Sequence, residues 1–233
     1  MHLLVHVCMY SSHTSSSSSQ HPRLFMIYMN FLPTRIHFES DTMAHIALAY
    51  EGTSWTSEYA YPLMLLQTLI GSYDRAAGKN VTSHLCLDVA QRELANSIST
   101  FNTCYKDTGL FGLYAITERE KVGDLMTCLV NNVAQLVEYV TEEDVERAKI
   151  ALKATMLMGL DGNSNVCEDI GRQLLTYGRR LTPAEIFLRI EELSVEDVKA
   201  AAYKVFHDKD HALAAVGGLE GLPSYEWIRN NSY

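Results

Sequence analysis

The chain has 233 residues, 47% of them hydrophobic and 20% charged, enough for one domain with a real core. Its formal net charge of −9 argues against phosphate-backbone binding, which needs clustered Lys and Arg, so no nucleic-acid partner is expected. Five cysteines, an odd number without a CxxC pair, argue against a disulfide framework or a structural zinc knuckle and point to a reducing compartment.

Residues 1–40 read as a tail. The opening MHLLVHVCMY lacks a basic stretch before its apolar run and makes a poor signal peptide. Arg23 and Arg35 are the basic residues of the first 36, which hold no acid, so a mitochondrial presequence is half matched. The tract SSHTSSSSS at 11–19 has too little apolar surface to offset chain entropy, and disorder is expected there. Residues 24–37 are more apolar but show no clean period.

From Met43 the pattern becomes regular. MAHIALAYE at 43–51 alternates and predicts a strand, 59–71 predicts an apolar helix ending at Gly71, and 84–97 predicts a second helix. Two β-like runs, 99–106 and 110–118, flank Asp107-Thr108-Gly109 and predict a hairpin. After them the chain reads as helix following helix. Thr141 with Asp144, and Ser194 with Asp197, look like N-caps with an acid in the first turn. Thr182-Pro183-Ala184-Glu185 predicts a full capping box, and Asn165 with Glu168 a weaker one. Val145, Ala148, Leu152 and Met156 recur at helical steps and predict one buried stripe over 142–159. HALAAV at 211–216 predicts a last strand. Few, grouped strands and consecutive helices give an α+β class: an antiparallel sheet covered on one side. No apolar run approaches the ~20 residues that a bilayer demands, so no transmembrane segment is expected.

A search for chemistry finds little. Neither HExxH nor HxxEH occurs, and the close pair His207 and His211 reads as solvated loop histidines without a third ligand. His45, among apolar neighbours in a strand, reads as a satisfied core or rim histidine. No GxSxG elbow, GxGxxG or GxxxxGK[ST] is present. One charged segment stands out: Cys167 to Arg180, with acids at its start, bases at its end and Gly178 placed to close a helix. Helix electrostatics explains most of that pattern. Alongside it stands the alternative that Arg172, Tyr177, Arg179 and Arg180 line an interface or a substrate surface, where Arg and Tyr are favoured anchors.

Five stretches, in order, carry a resemblance: HIALAYEGTSW (45–55), LIGSYDR (69–75), STFNTCYKDTGLFGLY (99–114), LDGNSNVCEDIGRQLLTYGRR (160–180) and LPSYEWIR (222–229). Together they make residues 41–233 similar to the second, zinc-free half of pitrilysin-type (M16) metallopeptidase subunits. The resembling branch holds the mitochondrial processing peptidase beta subunit and the core protein of respiratory complex III. The chain departs from that pattern at 79–97, where an expected glycine-rich run is reduced to Gly78-Lys79-Asn80, and residues 1–40 have no counterpart.

The resemblance implies subunits of two similar α+β domains, paired with an alpha-type subunit around a chamber for an extended presequence peptide. It places the family's zinc and its HxxEH motif in the first domain, so no zinc ligand or catalytic residue is carried to a position here. The expected role is a non-catalytic, chamber-lining half of a beta-type subunit in the mitochondrial matrix or on the matrix face of the inner membrane. The alternative is a scaffold subunit of complex III. A stand-alone enzyme would need a site that the motif search does not find.

Overall fold

The computed structural model describes residues 33–78 and 83–232. The Ser-rich tract and the opening apolar stretch lie outside the described residues. Six strands form one sheet: β1 (Thr34–His37), β2 (Met43–Glu51), β3 (Ser72–Asp74), β4 (Ser97–Cys104), β5 (Gly109–Glu118) and β6 (Ala212–Gly217). Their spatial order is β1-β6-β2-β5-β4-β3, with β1 and β6 parallel and the other neighbours antiparallel. Eight helices are described: α1 (Ala60–Ile70), α2 (His84–Arg92), α3 (Val122–Gln135), α4 (Glu142–Gly159), α5 (Asn163–Tyr177), α6 (Pro183–Glu191), α7 (Val195–Phe206) and α8 (Tyr225–Asn230).

The alternation in β2 sets the layers. Ala44, Ile46, Leu48 and Tyr50 point into the main core, while His45, Ala47 and Ala49 point to the other face. Strand β5 repeats the pattern, with Phe111, Leu113 and Ala115 inside. Leu63, Leu66 and Ile70 of α1 meet these strands, and α1 in turn packs against α4 and α7. Each such side chain, fully buried, stabilises the fold by roughly 1.5–3 kcal/mol. Among the described residues, the opposite sheet face holds a small buried cluster of Ala49, Leu110 and Ala212 with Phe101 against it. The predicted α+β architecture, with helices on one side, is therefore what the chain adopts.

Gly112 shows why the sheet centre admits no larger residue: a Cβ there would lie 2.4 Å from the Leu48 carbonyl oxygen and 2.6 Å from Phe101. The predicted hairpin forms, with the Tyr105 N–H donating to the Thr108 carbonyl at 2.8 Å.

Several local expectations change. Thr34–His37 lies inside the segment read as a tail, yet it pairs with β6, and Arg35 donates to the Pro223 carbonyl at 2.6 Å. A four-residue edge strand has no period long enough to read. Helix α2 stops at Arg92, because Glu93 turns left-handed at φ 52°, and the next residues lead into β4. Ser194 and Asp197 form the full capping box, whereas Thr182 forms half of one. It accepts from the Glu185 N–H at 3.3 Å, but the Glu185 carboxylate is taken by Arg179 and Arg189. Asn165 caps nothing, since α5 starts at Asn163 with Gly162 before it. Its amide donates instead to the Asp161 carbonyl at 3.1 Å.

Candidate functional site

The segment singled out in the sequence is α5 and the turn after it. Gly178 closes the helix as predicted, in the left-handed region at φ 71°, its N–H donating to the Leu174 carbonyl at 3.1 Å. That turn swings Arg179 and Arg180 away from the helix axis and towards α6.

The four candidate residues do not form one group. Arg172 pairs with Glu168 one turn back at 2.5 Å, beside a cleft of about 340 Å³ between α4, α5 and α6. Tyr177 points the other way and donates its hydroxyl to the Trp55 carbonyl at 3.1 Å. Burial pushes that hydroxyl up to about 12, with Tyr61 and Cys104 adding to the effect. Arg179 grips Glu185 with two bonds, of 2.8 and 2.5 Å, a fork geometry that suits guanidinium and carboxylate. Arg180 is exposed.

Glu185 is the residue that sequence reading misjudged. Arg179 bonds it from the turn and Arg189 from the next turn of α6 at 3.0 Å, while the Arg189 guanidinium lies 5.7 Å over the Tyr61 ring. The hydrogen bonds from Arg179 hold its carboxyl down to about 2. Its position three residues after a cap Thr suggested capping, and nothing in the sequence reveals that two arginines converge on it. Gln173 was missed as well. It is the one buried residue of α5, its Nε2 donating to Asp169 at 2.9 Å and its Oε1 accepting the Leu181 N–H at 2.6 Å. The Arg179–Glu185–Arg189 cluster, with Arg189 over Tyr61, and the Gln173 bond to Leu181 tie α1, α5 and α6 together. A proton-transfer group poised near neutral pH is not among them.

The zinc that the resemblance implies for the parent peptidases does not fit the residues present. Among the described residues no three His, Cys, Asp or Glu side chains are grouped to hold a metal ion. His207 stacks on Tyr203 and His211 on Tyr225, each at 4.2 Å between ring centres, so the two imidazoles do not converge. His211 is fully buried, contrary to the expectation of a solvated loop residue, because Tyr50 and Tyr225 of α8 pack against its ring. His45 is satisfied on the open sheet face by the Tyr114 hydroxyl, 2.8 Å from its Nδ1.

Residues 17–152 match the model of the Peptidase M16 inactive domain. The chain belongs to that family. It is 45% identical over 193 residues to the probable mitochondrial-processing peptidase subunit beta of Arabidopsis thaliana, covering 82% of this chain and 36% of the relative. It is 46% identical over 198 residues to that subunit of Blastocladiella emersonii, covering 84% and 43%, and 38% identical over 199 residues to the human one. The chain thus spans between 36% and 44% of the length of the curated relatives it matches, in their C-terminal part. Among solved structures it resembles a chain of complex III2 from Candida albicans with Inz-5 bound. That likeness has a TM-score of 0.81 at 24% identity and covers 86% of this chain and 49% of the other, which establishes a shared fold. No helix among the described residues is long and apolar enough to cross a membrane.

Proposed function

We propose that this chain acts in mitochondria as the non-catalytic C-terminal half of a processing-peptidase beta-type subunit. In this role residues 41–233 line part of the presequence chamber and pack against an alpha-type subunit, while the zinc-dependent chemistry belongs to another domain. The observation that carries the proposal is the extent of identity to beta subunits, up to 46%, confined to their C-terminal part and joined to the match with an inactive domain. The closed pairing of Arg172, Arg179 and Tyr177 fits structural duty, and the exposed Arg180 is the member of the group open to a neighbouring domain or substrate.

The test is reconstitution. The 233-residue chain is combined with an alpha-type subunit and a separately supplied zinc-bearing half of a beta subunit. Presequence cleavage is expected only when all three are present. Chelator-sensitive cleavage by this chain alone would overturn the proposal. Co-purification with cytochrome-containing membrane complexes would replace it with the scaffold function.

A further inference from the structure

The helix layer contains a pocket remote from the α5–α6 ion pairs. Its space of about 280 Å³ lies at the lower end of the range for small-ligand sites, the size of one side chain or a compact ligand. Leu69, Ile70, Leu85, Val133, Leu136 and Val140 form an apolar wall, and the ring of Tyr139, 69% exposed, lies at its lip. These residues come from the end of α1, from α2, from α3 and from the turn before α4. A large aromatic left in water beside an apolar recess is a feature in want of a partner.

The polar groups of the pocket fix what that partner must carry. The Ser83 hydroxyl is committed to the Ile70 carbonyl at 2.6 Å, and the Asn132 amide nitrogen to the Cys128 carbonyl at 2.9 Å. The Arg147 guanidinium bonds Asp144 at 2.6 Å, and Asp144 also accepts from Thr141 at 2.6 Å and faces His84 at 3.6 Å. The Gln135 amide and the Tyr139 hydroxyl, which also line the pocket, can each donate or accept. Among acceptors, the Asn132 side-chain oxygen is unclaimed within the described residues. Asp88 meets the Cys128 thiol at 4.0 Å and forms no ion pair with a described residue, although Arg92 lies one turn along α2. With His84 neutral, the lining carries two carboxylates against one guanidinium, in a chain whose net charge is −9.

An apolar wall, spare acceptors and a carboxylate without an ion pair among the described residues favour an aliphatic cation. We infer that this pocket binds a protonated amine on an aliphatic stem, the chemistry shared by free alkylamines and a lysine side chain. The stem lies along Leu69, Val133 and Leu136, and the ammonium donates to Asp88 and the Asn132 oxygen. None of Arg172, Tyr177, Arg179 and Arg180 lines this pocket, so the inference does not rest on a presequence chamber.

The probe is n-hexylammonium, titrated into the 233-residue chain with amide shifts recorded by NMR, beside n-hexanol and hexanoate. Hexylammonium is expected to bind about two- to fivefold tighter than hexanol, with hexanoate weakest and the shifts centred on residues 84–88 and 132–140. Asp88→Asn, at an exposed position that leaves the fold intact, should bring hexylammonium down to the affinity of hexanol. Leu136→Trp, with its fold checked by circular dichroism, should abolish binding of both by filling the recess. A capped lysine tripeptide separates the sources: binding assigns the pocket to a partner's lysine, and failure beside a positive hexylammonium titration assigns it to a free amine. Equal affinity for hexylammonium and hexanol, an unchanged Asp88→Asn variant, shifts located elsewhere, or no binding would each overturn the inference.

Discussion

Acid should loosen the C-terminal helix through one histidine. His211 is fully buried, with its ring stacked on Tyr225 of α8 and 6.2 Å from the Tyr50 ring, and neither ring nitrogen has a hydrogen-bond partner among the described residues. The charged groups around it are Asp210 on its own segment and Arg229 on α8, which bonds Asp210 at 3.0 Å and Asp208 at 2.7 Å. Burial, reinforced by Arg229 and only partly opposed by Asp210, holds the imidazole down to about 4 from an ordinary 6.5. As pH falls below about 6.5, the unfolded chain takes up a proton that the folded chain refuses until about 4. Stability from this residue is therefore intact above that window and lost on descending through it. Linkage gives about 1.4 kcal/mol lost at pH 5.5 and about 2.5 kcal/mol at pH 4.5. Urea unfolding at pH 7, 5.5 and 4.5, for the native chain and for His211→Phe, isolates the effect, because other titrating groups are common to both. The variant keeps a stacking ring and cannot titrate, so its loss on acidification should be smaller by those amounts. Identical pH dependence of the two chains, or an imidazole titrating near 6.5 by NMR, would refute the reasoning.

Other perturbations follow from the same contacts. Gly112→Ala should destabilise by about 2 kcal/mol or more, since its Cβ meets backbone at 2.4 Å, while Gly171→Ala, with open space around it in α5, should stabilise by about 0.5–1 kcal/mol; thermal melts compare the two directly. Gln173→Ala strips the buried Leu181 N–H of its acceptor and should cost about 1–3 kcal/mol in urea unfolding, whereas a loss below about 0.5 kcal/mol would deny the residue its bridging role. Arg179→Ala should return the Glu185 carboxyl from about 2 towards ordinary glutamate values by carboxyl NMR. Leu175 is 90% exposed and Leu174, on the same helix, 51%, so the isolated chain should self-associate and Leu175→Glu should shift it towards monomer in light scattering.

The elements that sequence made legible were those with a long period or a strong stop signal. Strand β2 was read to its residue, because burial alternates from Met43 to Leu48, and α4 because its apolar stripe recurs over about three turns after an N-cap Thr. Strands β1 and β3, of four and three residues, carry no such signal and exist through pairing with distant chain: β1 with β6, β3 with β4. The error at His211 has the same origin. Its neighbours Asp208, Lys209 and Asp210 mark a polar loop, and the ring is covered by Tyr50 of β2, distant in sequence, and by Tyr225 of α8.

The candidate site illustrates a different limit. Sequence identified correctly that residues 167–180 hold concentrated charge, and it offered two uses for that charge, helix electrostatics or an interface. What decides between them is whether each cation already has a carboxylate, and that depends on angles no spacing encodes. Arg172 finds Glu168 within its own helix, a pairing that the four-residue step makes available to any reader. Arg179 finds Glu185 across a glycine turn, and the pair exists only because the left-handed Gly178 redirects the chain. Arg180, exposed beside it, forms no ion pair with a carboxylate among the described residues. Position along the segment therefore says little about pairing, whereas the geometry of one glycine brings Arg179 onto a carboxylate and leaves the next arginine without one among the described residues.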